Sequence, residues 1–159
     1  MSATSYLNRL RECVGHDLLL SPAAAACIRD DEGRILLLRR SDGEDLCGLP
    51  GGAIEPGERA DEAAAREVYE EIGLEVEPVA LIGVYSDPEY AFAYPNGDQV
   101  QAVTLFFECR GVGGELLPDM REIVGARYFG PGDELPPMRP CCVAKAQDAF
   151  AFQGRAFFR

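Results

Sequence analysis

Apolar residues recur at helical spacing in three parts of the chain. In residues 6–14 and 140–152 they follow the three- and four-residue steps of an amphipathic helix. Residues 59–72 show the same spacing in their alanine, valine and isoleucine positions. Gly15 and Gly73 directly follow the first and the middle segment, as expected where a left-handed glycine ends a helix. The pattern therefore predicts three helices.

Shorter apolar runs separated by turn residues predict strands. The segment AAAACIRDDEGRILLLRR contains two such runs joined by Asp-Asp-Glu-Gly, which predicts a β-hairpin. VALIGVYS and QVQAVTLFFECR are two further predicted strands, with the strong turn signal Asn96-Gly97 between them, and ARYFG is a short last one. The segment SDGEDLCGLPGGAIEPGE is rich in glycine and proline, so we expect a long, irregular loop there.

These elements predict a single domain of the α+β class covering residues 1–159. A chain of 159 residues has the size of one domain, and the sequence shows no repeat, linker or low-complexity tract. Apolar residues make up 47% and charged residues 26%, which is ordinary globular composition. Since no stretch approaches the roughly 20 apolar residues of a membrane span, we expect no membrane partner.

The charge and the cysteines narrow the classes of partner. The formal net charge of -12 repels the phosphates of a nucleic acid polymer, so such a partner is disfavoured. A small phosphorylated ligand is compatible with it if divalent cations screen the carboxylates. Six cysteines without a zinc spacing predict reduced thiols and a cytoplasmic protein. The adjacent Cys141 and Cys142 are expected to begin the last helix, since neighbouring cysteines rarely meet disulfide geometry.

The segment REVYEEIGL concentrates three carboxylates at the end of the middle helix. Glu67, Glu70 and Glu71 lie within an arc of roughly 100°, although like charges repel there and the helix end disfavours anions. One interpretation is a solvated acidic face, partly neutralised by Arg66. The other is a cation site, because a glycine-rich loop enters the same helix and adds backbone carbonyl oxygens. Such an all-oxygen set suits Mg2+ or Mn2+.

The carboxylates also belong to a longer pattern that favours the second interpretation. Gly52 is followed by five residues, Glu58, seven residues and then REVYEEIGL from Arg66 to Leu74. Residues 52–74 thus resemble the Nudix hydrolase signature, G-x5-E-x7-R-E-U-x-E-E-x-G-U with U aliphatic, at every specified position. The flanking ILLLRR, LPGG and DELP are also similar to this family.

The resemblance implies an α/β/α sandwich around a mixed β-sheet and a pyrophosphohydrolase that depends on Mg2+ or Mn2+. The implied substrate is a nucleoside diphosphate linked to another moiety, such as ADP-ribose, a nucleotide sugar, a dinucleoside polyphosphate or a modified nucleoside triphosphate. The implied metal ligands are Glu67, Glu70, Glu71 and the carbonyl of Gly51. Arg66 and Glu58 would orient this cluster. Glu67 is the first candidate for the general base, and Glu122 in a distal loop is the second.

Substrate contacts are assigned to three residues outside the signature. Arg39 and Arg40 end a predicted strand, so one of them could clamp a phosphate, with Arg39 as the assigned residue; a solvated strand end is the alternative. Tyr90 and Tyr94, among turn residues, are candidates for stacking on a base, whereas aromatics in strands are more often core. A homodimer is compatible with the sequence.

Two positions depart from the family pattern. Cys47 stands where members often carry tryptophan, and Arg59 replaces the serine or threonine frequent at the helix start, so helix capping is assigned to Asp61. Neither departure removes an implied metal ligand. The alternative function is a Nudix-fold module that senses a nucleotide or sugar-nucleotide without hydrolysing it.

Overall fold

The three predicted helices are present in the computed structural model, which describes residues 6–41 and 44–159. They are α1 (Tyr6–Val14), α2 (Ala60–Ile72) and α3 (Pro140–Ala151). Gly15 and Gly73, with φ of 60° and 71°, follow α1 and α2 as predicted. The predicted cap Asp61 is wrong: Asp61 lies in the first turn and pairs with the Arg59 guanidinium. The Glu62 carboxylate accepts the hydrogen bond from the Arg59 backbone N–H instead.

The strands form a mixed sheet and a smaller antiparallel sheet. The mixed sheet contains β1 (Leu19–Ile28), β4 (Gly51–Ala53), β5 (Leu74–Tyr85), β6 (Phe92–Ala93), β7 (Gln99–Gly114) and β9 (Phe157–Phe158). Its order is β4-β1-β7-β5-β9, with β6 paired to β7; β1 runs parallel to β7, and β9 runs parallel to β5. The second sheet has the order β3-β2-β8, formed by β2 (Ile35–Arg40), β3 (Cys47–Gly48) and β8 (Ile123–Phe129).

The predicted hairpin is wrong, because its two strands belong to different sheets. No ladder joins them: an isolated bridge between Arg29 and Ile35 and the turn hydrogen bond from the Asp30 N–H to the Arg34 carbonyl link the two strands. Residues 24–28 and 35–38 are buried without alternation, so both strands are covered on both faces. A hairpin with one face in water would show alternating burial instead. The loop predicted to be irregular is also partly regular, since it contributes β3 and β4, with Gly51 paired to Ala25.

Helices cover the two faces of β1. Ala26 of β1 shares a core cluster with Val68 of α2, whereas the neighbouring Ala25 shares another with Ala146 of α3. Successive residues of a strand point to opposite faces, so α2 and α3 lie on opposite sides of β1. The fold is therefore the predicted α+β sandwich around a mixed sheet. Among the described residues, no helix is long and apolar enough to cross a membrane.

Candidate active site

Arg66 joins the glutamates of α2 to the loop that precedes the helix. Its Nε and Nη2 atoms donate to the two carboxylate oxygens of Glu58 at 2.7 and 3.0 Å. Its Nη1 donates to Glu67 at 2.7 Å and to Glu70 at 3.1 Å. A fifth bond, of 3.0 Å, runs from Nη2 to the carbonyl of Ala53. The hydrogen bonds from Arg66 lower the pKa of Glu58, despite the opposing effect of its partial burial. Arg66 thus fixes the position of three carboxylates at once.

Glu71 and Glu67 are the two glutamates most strongly affected by burial. Glu71 is 5% exposed and accepts a hydrogen bond from the Gly51 N–H at 3.1 Å. Burial raises its pKa to about 8, against the lowering effect of that hydrogen bond. Burial also raises the pKa of Glu67, which the hydrogen bond from Arg66 opposes. Both carboxylates are therefore costly to ionise without a cation nearby.

Two adjacent glycines allow the loop to pass close to these carboxylates. Gly51 has a φ of 150°, and a Cβ there would lie 2.3 Å from the carbonyl oxygen of Ala24. A Cβ on Gly52 would lie 2.6 Å from the carboxyl carbon of Glu67. A side chain at Gly51 would therefore push the loop away from β1, and one at Gly52 would displace the Glu67 carboxylate of α2. This contact explains the Gly-Gly pair in LPGG.

A cavity of about 520 Å³ lies between the glutamates and the start of α3. Ligand pockets commonly measure about 300–1,000 Å³, so a nucleotide-sized molecule fits this range. The predicted residues that line it are Gly51, Arg66, Glu67, Glu70, Glu71, Tyr94 and Glu122. Its floor includes Ala23 and Ala25 of β1 and Ala102 and Thr104 of β7. These small side chains leave open the space that larger residues would fill.

Arg39 and Tyr90 are not among the residues that line this cavity. The Arg39 side chain is 59% exposed and pairs with Asp45 at 2.7 Å. Its neighbour Arg40 lines the cavity in its place, because adjacent strand residues point to opposite faces. Tyr90 ends a short 3₁₀ helix, Pro88–Tyr90, and packs against the hydrophobic core. Of the three residues assigned to the substrate, only Tyr94 thus lines this cavity, and the assignments of Arg39 and Tyr90 stay predictions.

Glu67, Glu70 and Glu71 form one wall of the cavity, called the glutamate wall below. The ligand atoms that this wall offers suit a hard divalent cation. It offers carboxylate oxygens, and the buried Glu71 has only a backbone N–H as its hydrogen-bond donor. Within the described ranges, however, no group of three His, Cys, Asp or Glu side chains is gathered around a single point that could hold a metal ion. Arg66 instead binds oxygens of Glu67 and Glu70. The metal ligands therefore stay predictions.

The sequence interpretation missed the wall of the cavity that α3 provides. Arg139, Cys141, Cys142 and Lys145 line it. Cys141 and Cys142 lie in the first turn of α3, as predicted, and both are free, with their Sγ atoms 4.0 Å apart. The available signal was Lys145, the single lysine of a chain with 15 basic side chains in total.

We expect iodoacetamide to alkylate Cys141 quickly at neutral pH. The hydrogen bond with Cys142, aided by Lys145 and Arg139, lowers the pKa of the Cys141 thiol below its usual range, although burial acts in the opposite direction. More thiolate is then present at pH 7, and thiolate is the reactive form. Mass spectrometry of the alkylated peptide across pH 5–9 measures this. In a Cys142→Ala variant the profile should move to higher pH, and an unchanged profile would contradict the assignment.

Comparisons with known proteins agree with this fold and this loop-helix. Residues 19–141 match the family model described as the NUDIX domain. A Bacillus subtilis (strain 168) protein, provisionally named 8-oxo-dGTP diphosphatase, is 35% identical over 114 residues, which cover 72% of this chain and 69% of that protein. An ADP-ribose pyrophosphatase of Methanocaldococcus jannaschii is 36% identical over 109 residues, covering 67% of this chain and 61% of that protein.

A solved structure gives independent support for the fold alone. The crystal structure of an ADP-ribose pyrophosphatase from Streptococcus suis 89-1591 matches with a TM-score of 0.69 and 24% identity. The match covers 87% of this chain and 97% of that chain. From its matching domain model, its relatives and its fold, the chain belongs to the Nudix hydrolase family.

Proposed function

We propose that this protein is a divalent-metal-dependent pyrophosphohydrolase that cleaves the diphosphate linkage of a nucleoside diphosphate derivative. Membership of the Nudix family makes the chain a hydrolase of phosphoric anhydride bonds. The proposal rests on the arrangement in which Arg66 binds Glu58, Glu67 and Glu70 beside the buried Glu71, at a cavity of nucleotide size. The relatives named for 8-oxo-dGTP and ADP-ribose support a small nucleotide as the substrate.

The proposed ion is Mg2+, with Mn2+ as a substitute, held by Glu67, Glu70, Glu71 and the Gly51 carbonyl. Such an ion neutralises the charge of a diphosphate and polarises the phosphorus when it is bound. We place the protein in the cytoplasm as one domain, which its six free cysteines support.

Side chains that line the cavity have two roles in the proposed reaction: they hold the carboxylates in position, and one of them accepts the proton of the attacking water. Arg66 holds the Glu67 carboxylate at the cavity wall through its 2.7 Å hydrogen bond. Glu67 is the first candidate to accept the proton of the attacking water. Glu122, which lines the same cavity, is the second candidate for this base.

A hydrolysis panel tests the function directly. We expect turnover of at least one of ADP-ribose, a nucleotide sugar, a dinucleoside polyphosphate and 8-oxo-dGTP with Mg2+ or Mn2+. Chromatography should show cleavage between the two phosphorus atoms, and EDTA should abolish it, because the carboxylates alone repel a diphosphate. A folded protein that binds these nucleotides with metal but cleaves none would instead be a sensing module.

A further inference from the structure

The only lysine of the chain lies at the candidate active site. Lys145 is on the second turn of α3, is 6% exposed and lines the cavity. The other 14 basic residues are all arginines. Lysines are almost never so deeply buried unless they are paired. The position of Lys145 therefore requires a partner.

Within residues 6–41 and 44–159, the ammonium group of Lys145 has no carboxylate partner and no hydrogen bond. Its Nζ atom lies over the ring of Tyr85, 5.3 Å from the ring centroid. The Tyr85 hydroxyl itself donates to Asp148, which Arg159 also binds. A lysine has three N–H donors, and burying them without acceptors costs free energy. Lys145 is thus a cation without a carboxylate counter-ion, and its charge acts on the thiols of Cys141 and Cys142 on its own helix without a hydrogen bond to either.

Thr104 provides a second unpartnered polar group on the same cavity. Thr104 is 5% exposed, and the described residues give its hydroxyl no hydrogen-bond partner. Yet no fully enclosed side-chain nitrogen or oxygen in the described residues lacks a partner. The polar atoms of Lys145 and Thr104 must therefore retain contact with solvent, and the cavity is the opening that both residues line.

Arg139, a second cationic side chain at this end of the cavity, already has an ion-pair partner, in contrast to Lys145. Arg139 forms an ion pair with Glu44 at 2.6 Å, and its guanidinium lies 4.1 Å from the ring centroid of Phe92. The glutamate wall comes from α2, on the other side of β1. The cavity therefore has an acidic wall for cations and, at α3, a separate cation with free donors.

We propose that Lys145 and Thr104 form an oxyanion subsite, which binds a phosphate or carboxylate group of the nucleotide substrate on the α3 side of the cavity. This inference rests on the proposed function, because it assigns the substrate of that same site. The subsite selects substrates that carry an anion in addition to the diphosphate at the glutamate wall. A neutral group in the same place leaves the ammonium unpaired and binds more weakly.

The single lysine allows a direct binding test without turnover. Reductive methylation with 13C-formaldehyde labels only Lys145 and the N-terminal amine and keeps the positive charge. The labelled protein is titrated in EDTA with inorganic phosphate and, separately, with acetate, at constant ionic strength. We expect a saturable shift of the Lys145 methyl signal, and the anion that binds more tightly identifies the chemical class. No saturable shift with either anion would overturn the proposal.

Variants test the same subsite through backbone amide signals of 15N-labelled protein. We expect Lys145→Met to weaken binding of the preferred anion at least tenfold, and Thr104→Val to weaken it severalfold. Arg110→Met is the matched control: it removes one positive charge from an exposed residue of β7 that pairs with Glu77, and binding should stay within twofold. Equal weakening in the control would overturn the assignment to Lys145.

The outcomes separate this inference from the proposed function. A protein that hydrolyses the nucleotide panel but shows no response at Lys145 refutes the subsite alone. A protein that hydrolyses nothing but shows the Lys145 response refutes the hydrolase and retains the anion site.

Discussion

Glu67→Gln is expected to lower kcat for metal-dependent hydrolysis by about 100-fold or more while the fold is preserved. The substitution keeps the size of the side chain and an oxygen that can accept the 2.7 Å hydrogen bond from Arg66. It removes a negative charge at the proposed cation site and the proposed proton acceptor. Because the Glu67 carboxylate also lies against Gly52, a neutral amide of the same shape disturbs the loop little.

The matched control for this substitution is on the same helix. Glu62 in the first turn of α2 is exposed and accepts a hydrogen bond from the Arg59 N–H, which glutamine can also accept. Glu62→Gln should therefore leave kcat within about twofold. Steady-state kinetics, metal titration by calorimetry and thermal unfolding of both variants make the comparison. If Glu67→Gln kept wild-type kcat, Glu67 would be neither an essential ligand nor the base.

The residues of the loop-helix could be predicted because their relationship is local. Glu58, Arg66, Glu67 and Glu70 lie within 13 positions, so helical spacing alone places the last three together, and the structure joins all four. The wall formed by α3 could not be found in this way. Lys145 lies more than 70 residues from Glu71, and only the packing of the two helices around β1 brings both to one cavity.

Two features of the strands could not be read from the sequence, for identifiable reasons. The turn chemistry between β1 and β2 is that of a hairpin, but burial on both faces of each strand assigns them to different sheets. The choice of Arg39 over Arg40 depended on which face each side chain takes. The pairing of β2 with β8 shifts register between these two residues, and a single sequence does not reveal such a shift.

Arg66→Met is expected to lower the free energy of unfolding by about 2–3 kcal/mol and to abolish measurable hydrolysis. Methionine retains the apolar stem but removes five hydrogen bonds. The Glu58 and Glu67 carboxylates, with side chains 16% and 18% exposed, then lose their positive partner and repel each other. Since the Arg66 side chain is 30% exposed, water recovers part of the loss, which places the estimate below that of a fully buried pair.

Urea unfolding without metal measures this effect, with Arg59→Met as the control. Arg59 lies at the other end of α2 with its side chain 74% exposed and pairs with Asp61 at 2.9 Å, so its loss should cost less than about 0.5 kcal/mol. A double-mutant cycle of Arg66→Met with Glu58→Gln should give a coupling energy of about 1 kcal/mol or more. Added Mg2+ should restore part of the stability of Arg66→Met, because a cation at the glutamate wall replaces the lost positive charge. Equal stability of the two arginine variants would mean that the hydrogen bonds of Arg66 exchange freely with water and do not organise the glutamates of α2.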